Sequence, residues 1–222
     1  MSDEKTFKQK RPNSLHKLYF IPQHDLIVAV CGSVPNGSVR FWTINDGKLK
    51  ETLDLGKGVW ADSIAVSNSG NLIVIALLRK NETPCYSLTE MKWLWRVNWV
   101  EKGIVGNAMR FTPDDRKVVV VGFKKIVTYD AETGAILQTQ EDSKGFCGGF
   151  PDYNTRNIAV SPSARYAAFF QGNLEHDEGW WSSKNIWVVV WDIETKKLLP
   201  NRGRYKKNTR IALLSLHAMI TI

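Results

Sequence analysis

The chain has 222 residues, a formal net charge of +8, and a 43% hydrophobic fraction that includes nine Trp, nine Phe and six Tyr. That apolar content is enough for a packed core and excludes bulk disorder, and no stretch approaches the roughly 18 uninterrupted apolar residues of a membrane helix. The positive charge sits at the flanks: residues 1–17 hold five Lys/Arg against two acids, residues 202–210 hold five against none, and 18–201 balances 20 against 20. A nucleic-acid reader shows a patterned basic face instead, so solvated basic flanks are the simpler account.

The N-terminal segment 1–14, MSDEKTFKQKRPNS, is basic and lacks the apolar centre of a signal peptide. Cys31, Cys85 and Cys147 stand 54 and 62 residues apart with no CxxC pair, which fits neither a disulfide framework nor a zinc site. Buried free thiols in a reducing compartment follow, and the expectation is a cytoplasmic protein with no membrane attachment.

From residue 15 the chain alternates short apolar runs with turns. The first repeat, 15–55, reads as four strands at Lys17–Ile21, Leu26–Cys31, Val39–Ile44 and Lys48–Leu53. The second spans 59–98. The third, 104–139, is the plainest, with strands at Ala108–Phe111, Val118–Val121, Ile126–Tyr129 and Ala135–Thr139. Val, Ile and Tyr suit a pleated surface, Pro113 and Asp114 open one turn, and Gly134 supplies the positive φ of another. Each run is too short for a stable helix and each link is of hairpin length. The fourth repeat, 157–199, is enlarged by QGNLEHDEGWWSSK at 171–184 where the third has only 122–125, and a second expansion, 141–156, precedes it. A partial fifth repeat occupies 209–222.

Aligning the first turns places Pro22, Asn68, Pro113 and Pro162 in register at intervals of 46, 45 and 49. A second landmark follows in each repeat: Phe41-Trp42-Thr43-Ile44-Asn45-Asp46-Gly47, Tyr86-Ser87-Leu88-Thr89-Glu90, Tyr129-Asp130-Ala131-Glu132-Thr133-Gly134, and Trp191-Asp192-Ile193-Glu194-Thr195-Lys196. Four strands every ~45 residues is the signature of propeller blades.

These residues resemble the WD40 family of β-propellers over roughly 15–215. Trp191-Asp192 matches the dipeptide that names the family, Tyr129-Asp130 nearly so, and Phe111-Thr112-Pro113-Asp114 is similar to its common first turn. No blade carries the family's Gly-His dipeptide, so the match is to a degenerate or WD40-like propeller, with a related YVTN or quinoprotein-like propeller as the alternative. The resemblance implies an all-β protein of four-stranded antiparallel blades, about four plus a partial fifth. Blade 1 already holds four strands of its own, so residues 209–222 have no ring-closing role and the propeller is expected to be incomplete. Open sheet edges then invite self-association.

In such a propeller the link between second and third strands and the link between blades lie on one face. That face is expected to gather 141–156, 171–184, Trp60, Asp62, Arg79 and Lys80. Loops held by a rigid scaffold are where binding resides, and Trp180-Trp181 is the sharpest feature because Trp dominates interface hot spots. The competing account is that the pair covers its own blade. Glu175, His176, Asp177 and Glu178 are adjacent loop residues that seldom converge on one metal ion, and no nucleophile or phosphate-cradling motif is present. The resulting expectation is a non-catalytic scaffold for a protein or peptide partner, without cofactor or metal. Its contact residues are Trp180, Trp181, His176, Trp60, Arg79 and Lys80. The alternative is a propeller enzyme of lactonase or quinoprotein-like type. Its channel would be lined by Asp62, Asn107 and Arg156, at equivalent positions of three innermost strands.

Overall fold

The computed structural model describes residues 14–32, 36–59, 61–77, 80, 82–98, 108–122, 125–141, 158–177 and 180–199. They fall in two compact units, Met1–Lys102 and Gly103–Ile222. The first holds two antiparallel meanders: β1 (Ser14–Ile21), β2 (Leu26–Gly32), β3 (Asn36–Thr43) and β4 (Leu49–Lys57), then β5 (Ala61–Val66), β6 (Leu72–Leu77), β7 (Glu82–Ser87) and β8 (Lys92–Asn98). The second repeats the plan with β9 (Ala108–Phe111), β10 (Lys117–Val121), β11 (Lys125–Asp130) and β12 (Ile136–Glu141), then β13 (Ile158–Val160), β14 (Tyr166–Asp177), β15 (Trp180–Asp192) and β16 (Lys197–Leu198). Strands pair in chain order in all four sheets. The one helical element among the described residues is a 3-10 turn, Pro22–His24.

Turn chemistry sets this meander. Three first turns are tied by a hydroxyl: Leu72 N–H donates to Ser67 Oγ at 2.9 Å, Lys117 N–H to Thr112 Oγ1 at 3.1 Å, and Tyr166 N–H to Ser161 Oγ at 3.0 Å. In the first sheet the 3-10 turn replaces this device. Left-handed residues close the turns at Asp25, Gly70, Asp115 and Ala164, and again at Gly47, Met91, Gly134 and Lys196. Every sheet then joins its two turns by one backbone bond: Ile44 to Asp25, Leu88 to Asn71, Ala131 to Arg116, and Ile193 to Arg165, each at 2.8 or 2.9 Å. The acceptors stand at the same intervals as Pro22, Asn68, Pro113 and Pro162, so the repeat read in the sequence is the repeat of the backbone.

Each unit buries its core between its two sheets. In the first, Val28, Val30, Val39, Phe41 and Leu53 pack with Ile64, Ile73, Ile75 and Tyr86. Side chains of this size stabilise by about 1.5–3 kcal/mol each when fully buried. Gly37 lets the backbones meet, since a Cβ there would lie 2.1 Å from the Val59 carbonyl oxygen. At the turn end, Gln23 Nε2 donates to the Asn68 carbonyl at 3.1 Å and His24 Nε2 bonds Asn71 Oδ1 at 3.0 Å, stitching the first sheet to the second. In the second unit Val119, Val121 and Ile126 pack with Ala167, Phe169 and Ile193.

Two expectations are corrected. Segment 171–184 is not an inserted loop: β14 and β15 continue through it as paired strands, with Leu174 opposite Ser183 and Asp177 opposite Trp180. Strand pairing uses main-chain groups, which every non-proline residue supplies, so a polar composition does not prevent it. The third repeat also ends later than Thr139, because β12 runs to Glu141. The segments 1–13, 142–157 and 200–222 lie outside the described residues, and with them the partial fifth repeat.

Candidate functional site

The long hairpin is the first candidate. β14 has 12 residues and β15 has 13, whereas the corresponding β10 and β11 have 5 and 6. Trp181 pairs with His176 and Trp180 with Asp177 at the distal end, beyond a register shift between Gln171 and Asn173. Three of the expected contact residues thus meet on one ribbon.

The base of the ribbon is held by polar bonds around the Trp191-Asp192 dipeptide. Trp191 Nε1 donates to Gln140 Oε1 at 2.6 Å, and Gln140 Nε2 donates to the Ile193 carbonyl at 2.7 Å. Gln140 is buried and reaches the fourth sheet from β12. Arg165 Nε and Nη2 both donate to Asp192 Oδ2, at 3.2 and 2.9 Å, while Asp192 Oδ1 accepts the Glu194 and Thr195 amides. Burial opposes ionisation of Asp192, but Arg165 and the two amides outweigh it and hold the carboxyl below its ordinary range.

The second candidate is a cleft of about 370 Å³ in the first unit, between β4 and the second sheet. Asp54, Leu55 and Gly56 form one side, and Leu77, Lys80, Trp93 and Arg96 the other. A bulge builds the second wall. β8 pairs Trp95 with Cys85 but Trp93 with Tyr86, leaving Leu94 as the extra residue. A bulge re-aims the side chains after it, and Arg96 comes to lie 4.6 Å above the Trp93 ring centroid. Arg96 Nη1 also bonds Glu82 Oε1 at 3.2 Å. Behind them the Tyr86 ring meets Trp93 edge-on at 5.1 Å, and its hydroxyl donates to Glu51 Oε1 at 3.0 Å. Lys80 Nζ donates to the Leu55 carbonyl at 3.0 Å, bridging from the β6–β7 link to the end of β4.

Of the remaining expected residues, Trp60, Arg79, Asn107 and Arg156 lie outside the described residues. Asp62 occupies an irregular position of β5, between Ala61 and Ser63, where the register shifts. Among the described residues no group of three or more His, Cys, Asp or Glu is arranged to hold a metal ion, and no helix is long and apolar enough to cross a membrane. Arg96, Trp93 and Gln140 were not singled out in the sequence; the bulge and the reach of β12 are what bring them into play.

Solved structures share this fold. Hydrazine synthase of Kuenenia stuttgartiensis matches with a TM-score of 0.64 at 15% identity, over 93% of this chain and 53% of that one. The RRP9 WD40 repeats match with a TM-score of 0.60 at 10% identity, over 89% of this chain and 52% of that one. The four sheets are β-propeller blades. The dihydro-heme d1 dehydrogenase NirN also matches, with a TM-score of 0.58 at 13% identity, over 84% of this chain and 36% of that one. This chain therefore spans about half or less of the length of these propellers. No protein-family model and no curated protein matches its sequence. At such identities the likeness establishes the propeller fold alone, and a propeller carries enzymes and WD40 repeats alike.

Proposed function

We propose that these blades form a non-catalytic scaffold that docks a protein or peptide partner, with the 171–184 hairpin as the principal contact and Trp180 and Trp181 as its anchors. The observation that carries the reading is the length of β14 and β15 past their counterparts, with the adjacent tryptophans at the far end. A paired ribbon loses less conformational freedom on binding than a loose loop does, which favours affinity. Trp60, Arg79 and Lys80, which the propeller plan assigns to links of the same class in the first unit, are proposed as further contacts of their own. A cytoplasmic setting belongs to the same reading and rests on cysteines scattered along the sequence with no CxxC pair, of which Cys31 and Cys85 are free.

The likeness to two enzymes supports a second reading, a propeller enzyme with its site in the central channel. It needs ligands from several blades, so added divalent metal should raise its stability; the scaffold is indifferent to metal. The direct test is capture from native extract by the wild-type chain and by W180A/W181A. Truncating a hot-spot Trp costs ~2 kcal/mol or more of binding, so capture should fall at least tenfold while circular dichroism stays unchanged. Undiminished capture by the double variant refutes the anchors, and unfolding of the variant returns the pair to the cover of its own blade.

A further inference from the structure

The cleft of the first unit combines an apolar floor with fixed cations. Leu55 and Leu77 are buried beneath it, Trp93 forms a half-buried aromatic wall, and Lys80 and Arg96 stand on its margin. We propose, resting on the scaffold reading above, that this cleft seats a carboxylate-bearing side chain of an acidic peptide, with Lys80 and Arg96 as its charged contacts and Trp93, Leu55 and Leu77 as its apolar walls.

Three features favour that occupant. Lys80 is positioned through its bond to the Leu55 carbonyl, which uses one of the three hydrogens an ammonium carries. Arg96 lies over Trp93, its Cζ 4.6 Å from the ring centroid, and spends Nη1 on Glu82, while a guanidinium has five N–H donors in a planar fork that suits carboxylate. An Asp or Glu side chain joins a short apolar stem to one carboxylate, which matches a lining of buried leucines and exposed cations. A nucleic-acid backbone fits less well: a single carboxylate can reach Lys80 and Arg96 on their own side, whereas a run of phosphates must also pass the carboxylate of Asp54 on the opposite wall, which repels any anion. That carboxylate is itself engaged, with Oδ1 accepting the Gly56 amide at 2.8 Å.

The test is fluorescence anisotropy with a labelled octapeptide of alternating Glu and Leu, its Gln-for-Glu counterpart, and an eight-residue thymidine oligonucleotide. The basic segments at 1–17 and 202–210 attract any acidic probe, so the ratio between variants is the quantity read. The Glu peptide should bind at least tenfold more weakly to K80Q and to R96Q, with R96K intermediate, because lysine keeps the charge but loses the fork and the stacking. The Gln peptide should lose a similar factor on the wild-type chain. If R96Q melts early through loss of its Glu82 partner, K80Q and the Gln peptide still decide the matter. Equal binding by wild type and K80Q, equal binding of the Glu and Gln peptides, or a preference of the cleft for the oligonucleotide would each overturn the proposal. Capture through Trp180 and Trp181 is scored separately, so the cleft can fail with the scaffold reading intact.

Discussion

Trp191 donates its indole hydrogen to Gln140 at 2.6 Å, and Gln140 passes the connection on to the Ile193 carbonyl at 2.7 Å. The tryptophan of the Trp-Asp dipeptide thus binds its own blade to the outer strand of the blade before it. A buried amide with both ends satisfied is stabilising; removing one partner leaves a polar group without water or a bond.

The first prediction concerns that link. Gln140→Ala and Trp191→Phe should each destabilise the second unit by about 1–3 kcal/mol, read as a lower urea midpoint. The double variant should lose less than the sum, because both substitutions break one shared bond. Strict additivity would show that the two side chains act independently.

A second prediction follows from Arg165 and Asp192. A carboxyl held below its ordinary value stabilises the folded state fully above its unfolded pKa of about 3.9, and that contribution is lost as pH falls through the lower native value. Stability should therefore decline with acidification from about pH 4 downward. Asp192→Asn should cost about 1–2 kcal/mol at pH 7, discounted because Arg165 is 44% exposed. It should also flatten part of the acid slope. Asp46, Asp114 and Asp130, held low by Thr43, Thr112 and Thr133 respectively, maintain the rest. An unchanged slope in guanidinium titrations between pH 5 and 2.5 would contradict the assignment.

The cysteines supply a third. Burial pushes the Cys85 thiol up to about 12, and it also raises Cys31 against the pull of the Arg40 charge and the Ser38 hydroxyl. Since the thiolate is the reactive form, both should resist a disulfide reagent at pH 8 until the chain unfolds. Peptide mass spectrometry separates them from Cys147. Labelling of either within the time needed for a free thiol would show that its strand opens locally.

Much of the architecture was legible because turns obey local rules. Pro113 presets the φ that opens a turn, Asp114 accepts the Thr112 hydroxyl and the Arg116 amide within it, and Gly134 takes the positive φ that closes the next; such turns recur in register with the backbone bonds from Ile44, Leu88, Ala131 and Ile193. The two central strands of the third blade, β10 and β11, were readable from their Val and Ile residues. What escaped depends on neighbours distant in sequence. Gln140 falls just past the last strand read in the third repeat, and only the fourth blade makes it a buried bridge. Arg96 and Trp93 share a wall because Leu94 is bulged, a shift of register with no marker in composition. The segment QGNLEHDEGWWSSK reads as a loop by its polar residues, yet it pairs as strands because the pairing bonds belong to the backbone.

The most direct measurement is hydrogen–deuterium exchange on the chain alone and with its captured partner bound. Exchange in 171–184 should slow on binding by at least tenfold, with the first-turn peptides around Ser67, Thr112 and Ser161 unchanged. Protection confined to other segments, with the Trp180–Trp181 peptide exchanging as in the free chain, would contradict the hairpin as the docking element.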